Sequence, residues 1–142
     1  MMEQSNFSKL VNVMKVAYPY YFKELGEEDS VNFLHLYYTK LKDYPYNVAA
    51  KAIDNIITTH TFMPSLAEVI SECESQKKLY YMDILSTMYK DGYFKTDEEY
   101  GKATMWILAE KPIIPDWLKK DIKKYLTEDK KQQIETKESS ND

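Results

Sequence analysis

No arginine occurs in this chain: all 19 basic residues are lysine. Arginine's planar fork is the usual means of bidentate phosphate and guanine recognition, so its absence speaks against a dedicated nucleic-acid binder. The net charge of -4 points the same way, because such domains are normally basic. Heavy use of Lys, Tyr, Ile and Asn also follows from AT-rich coding, and the two explanations are compatible. Glycine is scarce, at Gly26, Gly92 and Gly101 alone. Without Asn-Gly or Asp-Gly turns between alternating runs, a hairpin-built β fold is disfavoured. The single Cys73 cannot close an internal disulfide, which fits a reducing compartment. No uncharged apolar run approaches the ~20 residues that cross a bilayer, and Met1 to Leu10 carry no basic-then-apolar leader. The expectation is a cytoplasmic protein without membrane contact.

What is present is helical periodicity broken by prolines. Phe7, Leu10, Val11, Met14 and Ala17 recur at i, i+3, i+4 spacing and predict a helix over residues 6–17, ended by Tyr18-Pro19. A short piece from Tyr20 to Leu25 follows. A second long helix starts after Asp29 or Ser30 as N-cap, with Val31, Leu34, Tyr38 and Leu41 as its buried stripe, and stops at Asp43-Tyr44-Pro45. The third holds Val48, Ala49, Ala52, Ile53, Ile56 and Ile57, a face wide enough for the most buried helix, and ends between His60 and Pro64. Ser65-Leu66-Ala67-Glu68 is a capping-box sequence that opens a helix through Val69, Ile70 and Cys73. The polar stretch Glu74 to Lys78 either ends this helix or carries it on as an exposed connection.

A second module follows. Leu79, Met82, Leu85, Met88 and Tyr89 suit a helix closing at Asp91-Gly92. Thr96 to Glu99 is another capping box, and Tyr100, Ala103, Thr104, Trp106, Ile107 and Leu108 continue its helix. Pro112 and Pro115 fix a linker, after which Asp116-Trp117-Leu118 begins a last helix bearing Ile122, Tyr125 and Leu126. The expected fold is therefore all-α: a small helical bundle in residues 1–75, a second short helical module in 79–126, and a disordered tail in 127–142, where apolar residues become few.

No catalytic or metal-binding pattern emerges. His35, His60 and Cys73 show no ligand spacing, and no glycine-rich phosphate loop exists. The acids at Glu27-Glu28-Asp29 and Asp97-Glu98-Glu99 lie at expected helix starts, where the helix dipole alone favours them. The expectation is a non-enzyme without metal or cofactor. Lys119, Lys120, Lys123 and Lys124 form a basic ridge opposite Leu118, Ile122 and Tyr125, more often the solvated side of an amphipathic helix than a phosphate contact. Trp117, Leu118, Ile122, Tyr125 and Leu126 are the candidate partner-binding face, since an amphipathic helix with aromatic anchors commonly fills a partner's groove. Completing the second module's own core is the competing use for Leu118 and Ile122.

The order of breaks carries a resemblance. Val16-Ala17-Tyr18-Pro19-Tyr20-Tyr21, then Leu36 to Tyr44, then Ala49 to Ile53, then Phe62-Met63-Pro64-Ser65-Leu66-Ala67-Glu68-Val69-Ile70 resemble the N-terminal domain of the phage helicase loader/inhibitor family of Gram-positive hosts. The resemblance covers about residues 6–74, with Tyr18, Pro19, Tyr37, Pro64, Ser65 and Glu68 as motif residues of structural character. Tyr37 stands where the family usually has Trp. The resemblance implies a non-catalytic adaptor of phage DNA replication in the bacterial host cytosol. It would bind and inhibit the hexameric replicative helicase, deliver it to the origin-bound replication initiator, and make no sequence-specific nucleic-acid contact. The family's C-terminal part is flexible, whereas residues 79–126 here read as folded. The rival reading is a small helical DNA-binding transcriptional regulator, for which no recognition helix rich in Arg, Gln or Asn is evident.

Overall fold

The computed structural model describes residues 1–109 and 114–125. Among them the chain is all-α, with seven helices and no strand: α1 (Gln4–Ala17), α2 (Pro19–Glu24), α3 (Glu27–Leu41), α4 (Tyr46–Thr59), α5 (Leu66–Lys90), α6 (Asp97–Leu108) and α7 over residues 116–125. Pro112, Leu126 and the expected tail over 127–142 lie outside the described residues. Two compact units divide the chain between Lys77 and Lys78.

In the first unit, α1 buries Phe7, Leu10, Val11 and Met14 and packs against α4, which buries Val48, Ala49, Ala52, Ile53 and Ile56. Small Ala49 and Ala52, with no exposed surface, let the two backbones approach closely. The first turns of α5 close this core with Val69 and Cys73. Each fully buried aliphatic side chain contributes about 1.5–3 kcal/mol. Met2 joins the same core. Its N–H donates to the Lys42 carbonyl (2.6 Å) and its own carbonyl accepts from the Tyr38 hydroxyl (3.1 Å).

The expected start and stripe of α3 are corrected. Its N-cap is Gly26, not Asp29 or Ser30, so Glu27, Glu28 and Asp29 fill the first turn and face the positive end of the dipole. Its buried face is Phe33, Tyr37 and Leu41, whereas Val31 and Leu34 are 65% and 40% exposed. Aromatic packing explains the rotation. Phe33 stacks on Tyr37 at 4.0 Å and meets the Phe22 ring of α2 edge-on at 5.1 Å, burying more apolar area than Val31 and Leu34 offer.

The polar stretch does not end α5, which runs unbroken from Leu66 to Lys90. Within it Gln76 is buried, its amide donating to Glu72 Oε1, which also accepts from Asn55 of α4 (both 3.2 Å). These bonds satisfy polar groups that would be costly to bury unpaired.

The second unit gathers Ile84, Leu85 and Met88 of α5, Phe94, Ala103 and Ile107 of α6 and the turn before it, and Leu118 and Ile122 of α7 into one core. Leu79, expected in the buried stripe, is 56% exposed, and the stripe begins instead at Tyr80 and Tyr81, half-buried against this core. Helix α5 ends at Gly92, whose φ of 82° is the left-handed conformation glycine adopts without penalty. The Gly92 N–H donates to Tyr89 O (3.1 Å) and the Tyr93 N–H to Met88 O (2.9 Å), the bonding of a Schellman cap. At the start of α6, Thr96 Oγ1 accepts the Glu99 N–H (3.2 Å), while the Glu99 carboxylate accepts from the Lys95 N–H (3.1 Å). Pro115 starts α7, its carbonyl accepting from Leu118 and Lys119 (both 3.0 Å).

Candidate partner-binding surfaces

Five of the six motif residues of the first unit converge on one junction. Tyr18 ends α1 and Pro19 occupies the first turn of α2, where a missing N–H costs nothing. The buried Tyr18 hydroxyl donates to the His60 carbonyl at 2.9 Å, just past the end of α4, with the Ile56 carbonyl at 3.4 Å. Burial raises its pKa, so it stays a neutral donor. His60 Nε2 lies 3.2 Å from Glu68 Oε2. Glu68 Oε1 accepts from the Ser65 N–H (3.4 Å), and Ser65 Oγ accepts from the Glu68 N–H (3.2 Å), closing a capping box beside buried Pro64. The Ser65 N–H is the first cause holding the Glu68 carboxyl below its ordinary value, with the Ser65 hydroxyl and the His60 ring adding to it. Tyr37 stands apart, stacked in the aromatic cluster, its phenol pushed up to about 12 by burial and then by Tyr21.

Around this junction stand Val16, Tyr20 and Phe62, each more than four-fifths exposed and each within two residues of Tyr18 or His60. None of the three was legible as a surface group, because apolar residues beside helix breaks read equally well as packing.

The candidate face of α7 divides sharply. Leu118 and Ile122 are 0% and 3% exposed and sit in the second core. Tyr125 is half-buried against that core, and Leu126 lies outside the described residues. Trp117 is 56% exposed and meets the Trp106 ring of α6 edge-on at 6.4 Å. On α6, Met105 and Leu108 are 72% and 56% exposed and share a face at i, i+3 spacing. Exposed Trp117 beside half-buried Trp106, and exposed Met105 and Leu108 on α6, are apolar side chains this unit leaves uncovered, of which sequence reasoning found only Trp117. Large exposed apolar side chains gathered in one place mark interaction sites more often than scattered ones do.

No chemistry of bond-making is assembled among the described residues. Cys73 is fully buried, and burial, then Glu74 and Glu72, push its thiol up to about 12, far from a reactive thiolate. Among the described residues no group of three or more His, Cys, Asp or Glu side chains is placed to hold a metal ion. The acids Glu27 to Asp29 and Asp97 to Glu99 occupy the first turns of α3 and α6. No helix among the described residues is long and apolar enough to cross a membrane.

Residues 2–70 match the family model of the N-terminal domain of the phage helicase loader/inhibitor. The N-terminal unit is a loader/inhibitor domain. The match begins at Met2, itself a core residue, and runs through the capping box of α5. The loader/inhibitor family is one of non-catalytic adaptors that act on a helicase. Neither a curated protein nor a solved structure matches the chain.

Proposed function

We propose that this chain binds the hexameric replicative helicase of a bacterial host, lowers its ATPase activity, and delivers it to the origin-bound replication initiator during phage DNA replication. The loader/inhibitor domain over residues 2–70 carries this reading. The site of action is the host cytosol, where the helicase works. No catalytic step is needed, because holding and releasing a motor requires only surfaces.

The helicase contact belongs to the second unit, through Trp117, Met105 and Leu108. These side chains have free apolar area, whereas Leu118 and Ile122 have none left to give. Trp is among the residues that most often dominate binding energy when buried at the centre of an interface.

The test is direct. Purified full-length protein should co-elute with the host's replicative helicase in size-exclusion chromatography and lower its rate of ATP hydrolysis. If it does neither, the reading is wrong. If it instead binds duplex DNA in a salt-sensitive manner without helicase, the transcriptional-regulator reading takes its place.

A further inference from the structure

The apolar surface of the second unit has a charged border. Helix α7 carries four Lys against two Asp over residues 116–125, a local excess of positive charge in a chain whose net charge is -4. Lys120 and Lys124 fall three and seven residues after Trp117, so all three share one face of the helix. Both lysines are exposed, and neither makes an ion pair or hydrogen bond among the described residues. Asp116 and Asp121 of the same helix form no ion pair with either lysine, and Glu128 and Asp129 lie outside the described residues. Asp121 accepts the Tyr93 hydroxyl, and Asp116 stands in the first turn, where the helix dipole accounts for a carboxylate. On α6 the acids Asp97, Glu98 and Glu99 lie at the N-terminal end, away from Met105 and Leu108 at the other. The Lys120–Lys124 pair is a like-charge i, i+4 pair, mildly repulsive in the free chain.

We propose that this surface docks Trp117 into an apolar pocket on the partner whose rim is lined by carboxylates, so that Lys120 and Lys124 gain counter-charges with which no described residue of the chain pairs them. The inference rests on the helicase-binding reading and names the chemistry of the partner's surface. A protein is favoured over a nucleic acid as occupant because no arginine is present and the whole chain is acidic. Met105 and Leu108 add aliphatic area that phosphates and bases use poorly. Apolar knob and charged rim divide the work: the knob sets how long the complex lasts, and the rim speeds encounter and fixes orientation.

The experiment measures affinity of the full-length chain for purified host replicative helicase across ~0.05 to ~0.5 M NaCl, a range over which the screening length falls severalfold. Wild-type affinity should drop about tenfold or more over that range. A Lys120→Glu, Lys124→Glu variant should bind at least about tenfold more weakly at low salt, with the gap closing at high salt, and a Lys120→Gln, Lys124→Gln variant should fall between. Trp117→Ala should lose about tenfold or more at every salt concentration. Lys9→Glu, at an exposed position of α1, should match wild type. Thermal unfolding followed by circular dichroism confirms that each variant is folded, and the glutamine pair decides should the glutamate pair unfold. Salt-independent helicase binding that is unchanged in both lysine variants overturns the charged rim and leaves the helicase reading standing. Failure of wild type to bind helicase at all overturns both. Salt-sensitive binding of a fluorescent single-stranded oligonucleotide, lost in the lysine variants, makes the lysines a nucleic-acid contact and overturns the proposal.

Discussion

The Tyr18 hydroxyl lies 2.9 Å from the carbonyl oxygen of His60, tying the break between α1 and α2 to the end of α4 across 42 residues of sequence. Helix α4 ends at Thr59, so the His60 carbonyl lies outside its hydrogen-bond ladder and takes the tyrosine as its donor. Tyr18→Phe keeps the buried ring and removes only the donor. The expected loss is about 1 kcal/mol of stability, typical for a hydrogen bond whose acceptor is left dry. Urea denaturation checks it, with Tyr20→Phe, at an exposed ring, as the control that should change nothing. Equal midpoints for wild type and Tyr18→Phe would show that water replaces the tyrosine at no cost.

The capping box beside it makes a prediction in two parts. Ser65→Ala should cost about 1 kcal/mol, because the Glu68 N–H loses its side-chain acceptor at the start of a helix. Glu68→Gln keeps an acceptor for the Ser65 N–H but removes the charge. The folded protein holds the Glu68 carboxyl below its ordinary 4.5, so ionised Glu68 favours the folded state. That contribution is present above 4.5 and is lost as pH falls through the lowered folded value. The stability gap between wild type and Glu68→Gln should therefore shrink once acid protonates Glu68 itself, below its ordinary 4.5. A gap that keeps its full size there would overturn the assigned sign.

These local bonds were readable from the sequence, because a capping box is written in four consecutive residues and depends on nothing distant. The face of α3 was not. Val31, Leu34, Tyr38 and Leu41 and the observed Phe33, Tyr37 and Leu41 are both acceptable helical stripes. The choice is made by Phe22 on another helix, which no periodicity reports. The continuity of α5 was left open for a related reason, since Gln76 looks like a surface residue until Glu72 is seen beside it. At the candidate site, Trp117 stood out as a large aromatic at a helix start. Met105 and Leu108 did not, because α6 is apolar on so many sides that only the packing of Ala103 and Ile107 reveals which side is left over.

Cys73 offers a probe of the first core. Its thiol has no exposed surface and is pushed up to about 12, chiefly by burial. Modification by a disulfide reagent at mildly alkaline pH should be slower than for an unfolded chain by about 100-fold or more, since it requires opening of the core. Adding urea should bring the rate up in step with unfolding measured by circular dichroism. Rapid labelling under native conditions would mean that the start of α5 detaches without global unfolding.

Neighbouring residues on α7 allow folding and binding to be separated. Leu118 has no exposed surface and Trp117 is 56% exposed, although they are adjacent in sequence. Leu118→Ala removes buried methyl groups from the core shared by α5, α6 and α7 and leaves a cavity, at an expected cost of about 2–5 kcal/mol to the second unit. Trp117→Ala loses the contact with Trp106 and part of an exposed ring, and should cost about 1 kcal/mol or less, the usual range for a contact at the surface. Helicase affinity should order the two variants the other way at a temperature where both remain folded: Trp117→Ala weak, Leu118→Ala near wild type. Two measurements on each variant suffice, thermal unfolding and helicase affinity. If Leu118→Ala loses affinity while still folded and Trp117→Ala keeps it, the second unit must open to bind, and the inner face of α7, not its exposed tryptophan, is what the partner receives.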